Sequence, residues 1–275
     1  MQKKFAFATI AVAGLATAAN AQIRLSHNVE EFLVVAGFGV SCATDGSTGP
    51  QTTTDNFWSR SFSLSDFGSP DGFTANTVEF GVESIRLPTL IETEITVNLY
   101  QIPDGSPPIA GGTLVGSASM TSGERSLEVV IMDIDGSVDA GTALMVEVES
   151  EDLLTLSGGA PLGDVFFIGA NNFGQTAPSY VAAPVGCGLA DPADVADFGF
   201  FDSHFIIIAE GEEGGGTGDC RVDLDGDMDL TLFDFLTFSN LFDAGDLAAD
   251  FDGDGSLTLF DFLTFSNEFD AGCDF

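Results

Sequence analysis

Apolar and polar residues trade places in short runs over roughly the first three-quarters of the chain. Val78–Leu87 and Glu94–Ile102 keep a two-residue period. Leu114–Met120, Ser126–Ile134, Ala143–Val148, Val165–Gly169 and His204–Ala209 are further runs of strand type. Pro103-Asp-Gly105, Gly111-Gly112, Asp135-Gly136 and Gly158-Gly159 fall between or beside them and predict turns. Strands in this number, without intervening long helical patterns, predict a mainly β domain over residues 22–209, an antiparallel β-sandwich or jelly roll. A domain of that size buries about two-thirds of its unfolded surface and needs no cofactor to fold.

After Ala209 the pattern changes. Residues 210–219, Glu-Gly-Glu-Glu-Gly-Gly-Gly-Thr-Gly-Asp, are glycine-rich and acidic and predict a hydrated linker. From Cys220 to Phe275 a repeat takes over. Asp223-Leu-Asp-Gly-Asp-Met-Asp-Leu-Thr-Leu-Phe-Asp234 returns 27 residues later as Asp250-Phe-Asp-Gly-Asp-Gly-Ser-Leu-Thr-Leu-Phe-Asp261. Leu230–Gly245 and Leu257–Gly272 differ at one position, where Leu241 becomes Glu268. Each loop runs into a predicted helix, about 231–242 and 258–269, whose apolar residues cover more than one stripe.

The spacing of the acids has a chemical reason. Calcium takes six to eight hard oxygen ligands at about 2.3–2.6 Å from a loop coiled around it. Loop positions 1, 3 and 5 supply carboxylates, here Asp223, Asp225 and Asp227, then Asp250, Asp252 and Asp254. Position 7 contributes a backbone carbonyl, from Asp229 and Ser256. Position 9 works through water and suits Thr231 and Thr258, while Asp234 and Asp261 close the shell from position 12. Two calcium ions are therefore expected. Position 6 needs a left-handed turn; Gly255 accepts it in the second loop, whereas Met228 in the first costs roughly 1 kcal/mol.

No helix has room to precede the first loop, because only Arg221 and Val222 separate it from Cys220. A duplicated loop-then-helix unit with Asp at position 12 resembles the dockerin family. Its closing cysteines are similar to those of cysteine-framed dockerin-like modules at the C-termini of planctomycete-type secreted proteins. The resemblance covers Cys220–Cys273. It implies calcium in both loops and a helix face that docks onto a protein partner, cohesin-like or a component of the cell envelope. The family's selectivity positions, ten and eleven of each loop, fall on Leu232-Phe233 and Leu259-Phe260, where cellulosomal members often carry small hydroxylated residues. In the larger domain, Asp55–Phe62, Gly169–Tyr180 and Gly186-Cys187-Gly188 resemble uncharacterised sandwich modules of similar exported bacterial proteins.

Composition narrows the function classes. Lys3 and Lys4, the apolar run Phe5–Ala19 and Ala19-Asn20-Ala21 read as an export signal over residues 1–21, so a secreted or cell-surface protein starting at Gln22 is expected. The run is shorter than the ~20 residues a membrane span needs, and no later stretch qualifies. Without the two signal lysines, 43 acids face five arginines, a net charge near −38 that repels nucleic acid and attracts cations. The 26 phenylalanines exclude charge-driven disorder.

Catalytic candidates are sparse. The chain has two histidines, His27 and His204, and Ser179, Asp202 and His204 lack the context of a nucleophile elbow. A non-catalytic protein is expected. The alternative is a carbohydrate-binding protein or polysaccharide hydrolase with its sugar site on the sandwich, where Phe57, Trp58, Tyr100 and Tyr180 are candidate stacking residues.

Four cysteines in an exported chain favour disulfides, and the domain boundaries favour Cys42–Cys187 and Cys220–Cys273. Non-reducing peptide mapping is expected to recover a Cys220–Cys273 peptide pair. Its closure of about 53 residues contributes about 4 kcal/mol on a chain-entropy estimate. Recovery of Cys42 joined to either C-terminal cysteine would overturn the two-domain division.

Overall fold

The computed structural model describes residues 22–44, 47, 49–109, 111–214, 221–224, 230–251 and 255–272. The expected export segment, Cys220, Cys273 and loop residues Asp225, Asp227, Met228, Asp229, Asp252 and Asp254 lie outside them.

The chain is mainly β, with antiparallel sheets and helices near the C-terminus. The first strands are β1 (Gln22–Leu25), β2 (Asn56–Ser63), β3 (Phe73–Arg86), β4 (Thr93–Pro103), β5 (Thr113–Ser122), β6 (Arg125–Val138) and β7 (Thr142–Ser150). After the short helix α1 (Leu153–Leu156) come β8 (Val165–Ile168), β9 (Ala170–Asn171), β10 (Tyr180–Ala183), β11 (Leu189–Asp194), β12 (His204–Phe205) and β13 (Ile207–Glu213). Helices α2 (Leu232–Ala244) and α3 (Leu259–Ala271) follow.

One sheet runs β1-β13-β3-β6, with β8 on the edge of β3 beyond β13. The other runs β11-β10-β2-β7-β4-β5. Alternation puts Phe80, Val82, Phe166 and Ile207 of the first sheet into the same core as Trp58, Phe62, Val97, Val146 and Val148 of the second. Trp58 is fully buried; its Nε1 donates to the Val40 carbonyl at 2.6 Å and its ring lies 5.0 Å from that of Phe166.

Three expectations change here. Asp135-Gly136 is a bulge inside β6 instead of a turn: Ala75 pairs with Gly136 and Thr77 with Asp133, so two residues face one. The apolar run 204–209 is two strands in different sheets, split at Ile206. Close backbone contact explains the split: the Gly81 amide donates to the Ile206 carbonyl and the Ile206 amide to that of Gly169. A Cβ on Gly81 would sit 2.8 Å from the Gly169 carbonyl oxygen, so neither strand could approach with a larger residue there. Residues 210–213, expected in the linker, extend β13 because β1 and β3 satisfy their backbone groups from both sides. β2 carries Asn, Ser and Arg and lacks an apolar alternation, yet it lies near the middle of its sheet.

Cys42 and Cys187 form the expected disulfide, with Cα atoms 6.0 Å apart. Among the described residues no helix is long and apolar enough to cross a membrane.

Two arginines bind the large domain internally. Arg24 on β1 makes a two-pronged contact with Glu79 on β3, at 2.8 Å for each nitrogen, and reaches Glu31 at 2.6 Å and Glu210 on β13. Hydrogen bonding to Glu79, aided by Glu31 and Glu210 and opposed by burial, holds its pKa above the ordinary value. Arg60 points inward from β2 and is fully buried without a carboxylate. Its guanidinium donates to the Ala177 carbonyl (3.1 Å), Gln175 Oε1 (2.7 Å) and Ser179 Oγ (3.0 Å), and burial lowers its pKa to about 9.

Replacing Arg24 with Met is expected to cost about 2–4 kcal/mol, because three glutamates then share a partly shielded site without a counter-charge. Arg24→Lys is expected to recover only part, since an ammonium lacks the planar fork that spans Glu79. Urea denaturation of the three proteins measures both differences.

Candidate functional site

The C-terminal repeat builds its helices from the same local signals twice. Thr231 and Thr258 are extended residues just ahead of α2 and α3, and the Oγ1 of each accepts the amide two residues on, from Phe233 and Phe260, at 3.1 Å. Asp234 Oδ2 accepts the Thr231 amide at 2.8 Å and Asp261 Oδ2 the Thr258 amide at 2.6 Å. These reciprocal bonds are capping boxes, with Asp in the place usually held by Glu. Positions 9 and 12 of each predicted calcium loop therefore also start the helix. Both position-12 aspartates are fully buried.

Helix packing repeats the symmetry of the sequence. Phe238 and its counterpart Phe265 stack with centroids 4.2 Å apart and planes 8° from parallel. Phe251 meets both rings edge-on, and Val222 and Ala249 complete the buried cluster. Arg221 sits 4.2 Å above the Phe251 ring, donates to the Phe251 carbonyl and reaches Glu268 at 3.6 Å. Glu268 is the one residue by which the second helical segment departs from the first. Its counterpart Leu241 packs against the phenylalanine cluster instead.

Part of the second loop is described. Gly255 has φ of +81°, in the left-handed region that position 6 requires, and its amide donates to Asp250 Oδ2 at 2.8 Å. Asp250, Ser256, Thr258 and the buried Asp261 of the second repeat are described. In the first repeat Asp223, Thr231 and Asp234 are described. Asp225, Asp227, Asp229, Asp252 and Asp254 lie outside the described residues. Among the described residues no group of three or more His, Cys, Asp or Glu side chains converges as a metal cluster.

The outer surface of the helices is apolar at equivalent places. Leu232 and Phe233 of α2 are 69% and 65% exposed, and Leu259 and Phe260 of α3 are 68% and 65% exposed. Leu236 and Leu263 extend both pairs by one turn.

In the large domain, Ser179 and His204 of the candidate trio each have other hydrogen-bond partners. Ser179 Oγ accepts from Arg60 and from the Phe205 amide and donates to Gln175, whereas His204 Nδ1 accepts the Gly174 amide at 3.0 Å. Burial, and secondarily the charge of Arg60, lowers the His204 pKa. His27 is lowered by burial too; it bonds Thr176 and the Ser61 carbonyl and stacks on Phe62. Both imidazoles are packed and hydrogen-bonded within the fold. The candidate aromatic platform also divides, with Trp58 in the core and Phe57, Tyr100 and Tyr180 half-buried on the opposite face of their sheet.

Sequence reasoning missed Arg60 and Arg221. Both are single cations in acidic or apolar surroundings, and that scarcity was the available signal. No family model matches the chain, and no curated protein does. Among solved structures it is similar to a chain of "Structure of infectious bursal disease virus Gt strain", at 11% identity over 76% of this chain and 42% of that one, with a TM-score of 0.24. The chain thus spans less than half of that structure's length, and a likeness of this degree carries no argument about fold or function.

Proposed function

We propose that the protein is a secreted or cell-surface, non-catalytic protein whose C-terminal dockerin-like module binds two calcium ions and docks onto a protein partner. The larger domain is read as an antiparallel β-sandwich or jelly roll displayed by that module. The observation that carries this reading is the coincidence, in both repeats, of a capping-box threonine, a fully buried position-12 aspartate and an exposed Leu-Phe pair.

The chemistry supports the assignment. Calcium supplies the positive charge that lets several carboxylates crowd into one turn. Asp223, Asp225, Asp227 and Asp234 would hold the first ion and Asp250, Asp252, Asp254 and Asp261 the second. Asp229 and Ser256 would add main-chain oxygens, and Thr231 and Thr258 a water-mediated contact. Binding free energy adds to folding free energy wherever the unfolded chain has no site. The first turns of α2 and α3 each present an exposed apolar group, Leu232, Phe233 and Leu236 on one and Leu259, Phe260 and Leu263 on the other, which suits an apolar protein surface.

Calorimetric titration of the mature chain is expected to find two unequal calcium sites, the tighter in the second loop. Asp250→Ala is expected to abolish the tighter site. Met228→Gly is expected to tighten the weaker one about fivefold, the equivalent of ~1 kcal/mol. Two sites of equal affinity would overturn the ranking, and absence of calcium-dependent heat would overturn the module's function. Docking is read by calcium-dependent retention of an envelope component on the immobilised chain, with loss expected in Phe233→Ser/Phe260→Ser.

A further inference from the structure

The outer face of the six-stranded sheet is built from residues that the core does not use. Trp58, Val97 and Val148 point inward, so their strand neighbours point out. Cross-strand register then lays one row over five strands: Tyr180 on β10 faces Ser59 on β2, Ser59 faces Glu147 on β7, Glu147 faces Asn98 on β4, and Asn98 faces Ser117 on β5. A second row beside it holds Phe57, Glu149 and Thr96. At about 4.8 Å between strands the first row is roughly 19 Å long, and the rows are about 7 Å apart.

The two carboxylates in these rows are linked yet incompletely satisfied. Asn98 Nδ2 donates to Glu147 Oε1 and to Glu149 Oε2, each at 3.4 Å, and the Tyr100 hydroxyl donates to Glu147 Oε1 at 3.3 Å. These are long bonds, at the weak end of the range. Ser117 Oγ donates to Asn98 Oδ1 at 2.8 Å and fixes the amide with its NH2 toward the acids. Among the described residues neither glutamate has an ion-pair partner. Burial pushes the pKa of both above the ordinary carboxylate value.

A separate observation points to a missing ligand. Ser59 is 1% exposed, stands directly across from Glu147 on the same face, and its hydroxyl has no hydrogen-bond partner. A buried hydroxyl left this way costs on the order of 1–3 kcal/mol. The rings of Phe57, Tyr100 and Tyr180 lie half-buried around the same rows.

The chemistry of these groups selects the ligand class. An anion would meet two carboxylates. A metal ion would meet N–H and O–H donors aimed at Glu147, and among the described residues no three metal-ligating groups converge. A neutral polyhydroxylated molecule suits each group: its hydroxyls donate to Glu147 and Glu149, accept from Asn98, Tyr100 and Ser59, and its C–H faces lie against aromatic rings. We propose that this outer face, centred on Glu147, Glu149, Asn98 and Ser59, is a binding site for a neutral carbohydrate. The site is independent of the calcium loops.

Affinity electrophoresis of the mature chain tests it, in gels containing hydroxyethylcellulose, xylan or galactomannan, with alginate as the charged control and each gel run with and without chelator. Retardation by at least one neutral polysaccharide is expected, with no retardation by alginate and no effect of chelator. Glu147→Gln and Glu149→Gln keep the side-chain shape and are each expected to weaken binding at least tenfold with unchanged melting temperature. Tyr180→Ala, at the end of the row, is expected to weaken it several-fold without touching the acids. Absence of retardation by every neutral polymer, retention by alginate, loss on chelation, or unchanged binding in the two glutamine variants would each overturn the proposal. Chelator-sensitive heat in calorimetry of the same protein reads the calcium loops separately, so one proposal can fail while the other stands.

Discussion

Everything in the larger domain depends on burying the facing sides of two antiparallel sheets in one core. Neither sheet is stable as a single layer in water, because each has an apolar side that must be covered. β3 carries most of the first layer, pairing with β6 along one edge and with β13 and β8 in succession along the other. Trp58 and Phe166 meet in the middle of the gap. Once the inward positions are committed to that core, every alternate residue is forced outward, and the acidic composition is accommodated there.

A chain with 43 acidic residues and seven basic ones has few ways to offset self-repulsion, and it places Arg24 and Arg60 where segments distant in sequence converge. Arg24 joins the first strand to β3 and to the last strand through three glutamates. Arg60 does something different: surrounded by carbonyl, amide and hydroxyl acceptors, it ties β2 to the 175–179 segment without a counter-ion. Arg221 plays the closing role in the helical repeat, touching Phe251 and Glu268 at once. Three cations thus connect segments that the sheet ladders and helices leave separate.

The repeat shows how little is needed to distinguish two copies. Stacking of Phe238 on Phe265 treats the helices as equivalents. The exchange of Leu241 for Glu268 breaks the equivalence, one side chain joining the apolar cluster and the other meeting Arg221. The same threonine and aspartate that start each helix are those assigned to the proposed calcium shell. Helix initiation and ion binding would therefore draw on common atoms, which gives a physical reason for the ion to order the helices.

The sequence by itself determined the features written in consecutive residues. Strand period, the two C-terminal helices and the left-handed Gly255 all follow from local backbone geometry, and the described residues show them. The helices begin one residue later than expected because the threonines cap them. What local pattern could not determine was pairing. β2 is central although it is polar, since its backbone pairs with β7 and β10 and its inward Arg60 is satisfied by residues more than a hundred positions away. The run 204–209 divides between two sheets because Gly81 and Gly169 let backbones meet there, and residues 210–213 join a strand because β1 and β3 flank them. Glu147, Glu149, Asn98 and Ser59 form one surface only when three strands lie in register. Such contacts carry no short-range signal: hydrogen bonds across a sheet join residues whose separation along the chain is arbitrary, and only the closed core selects which strands become neighbours.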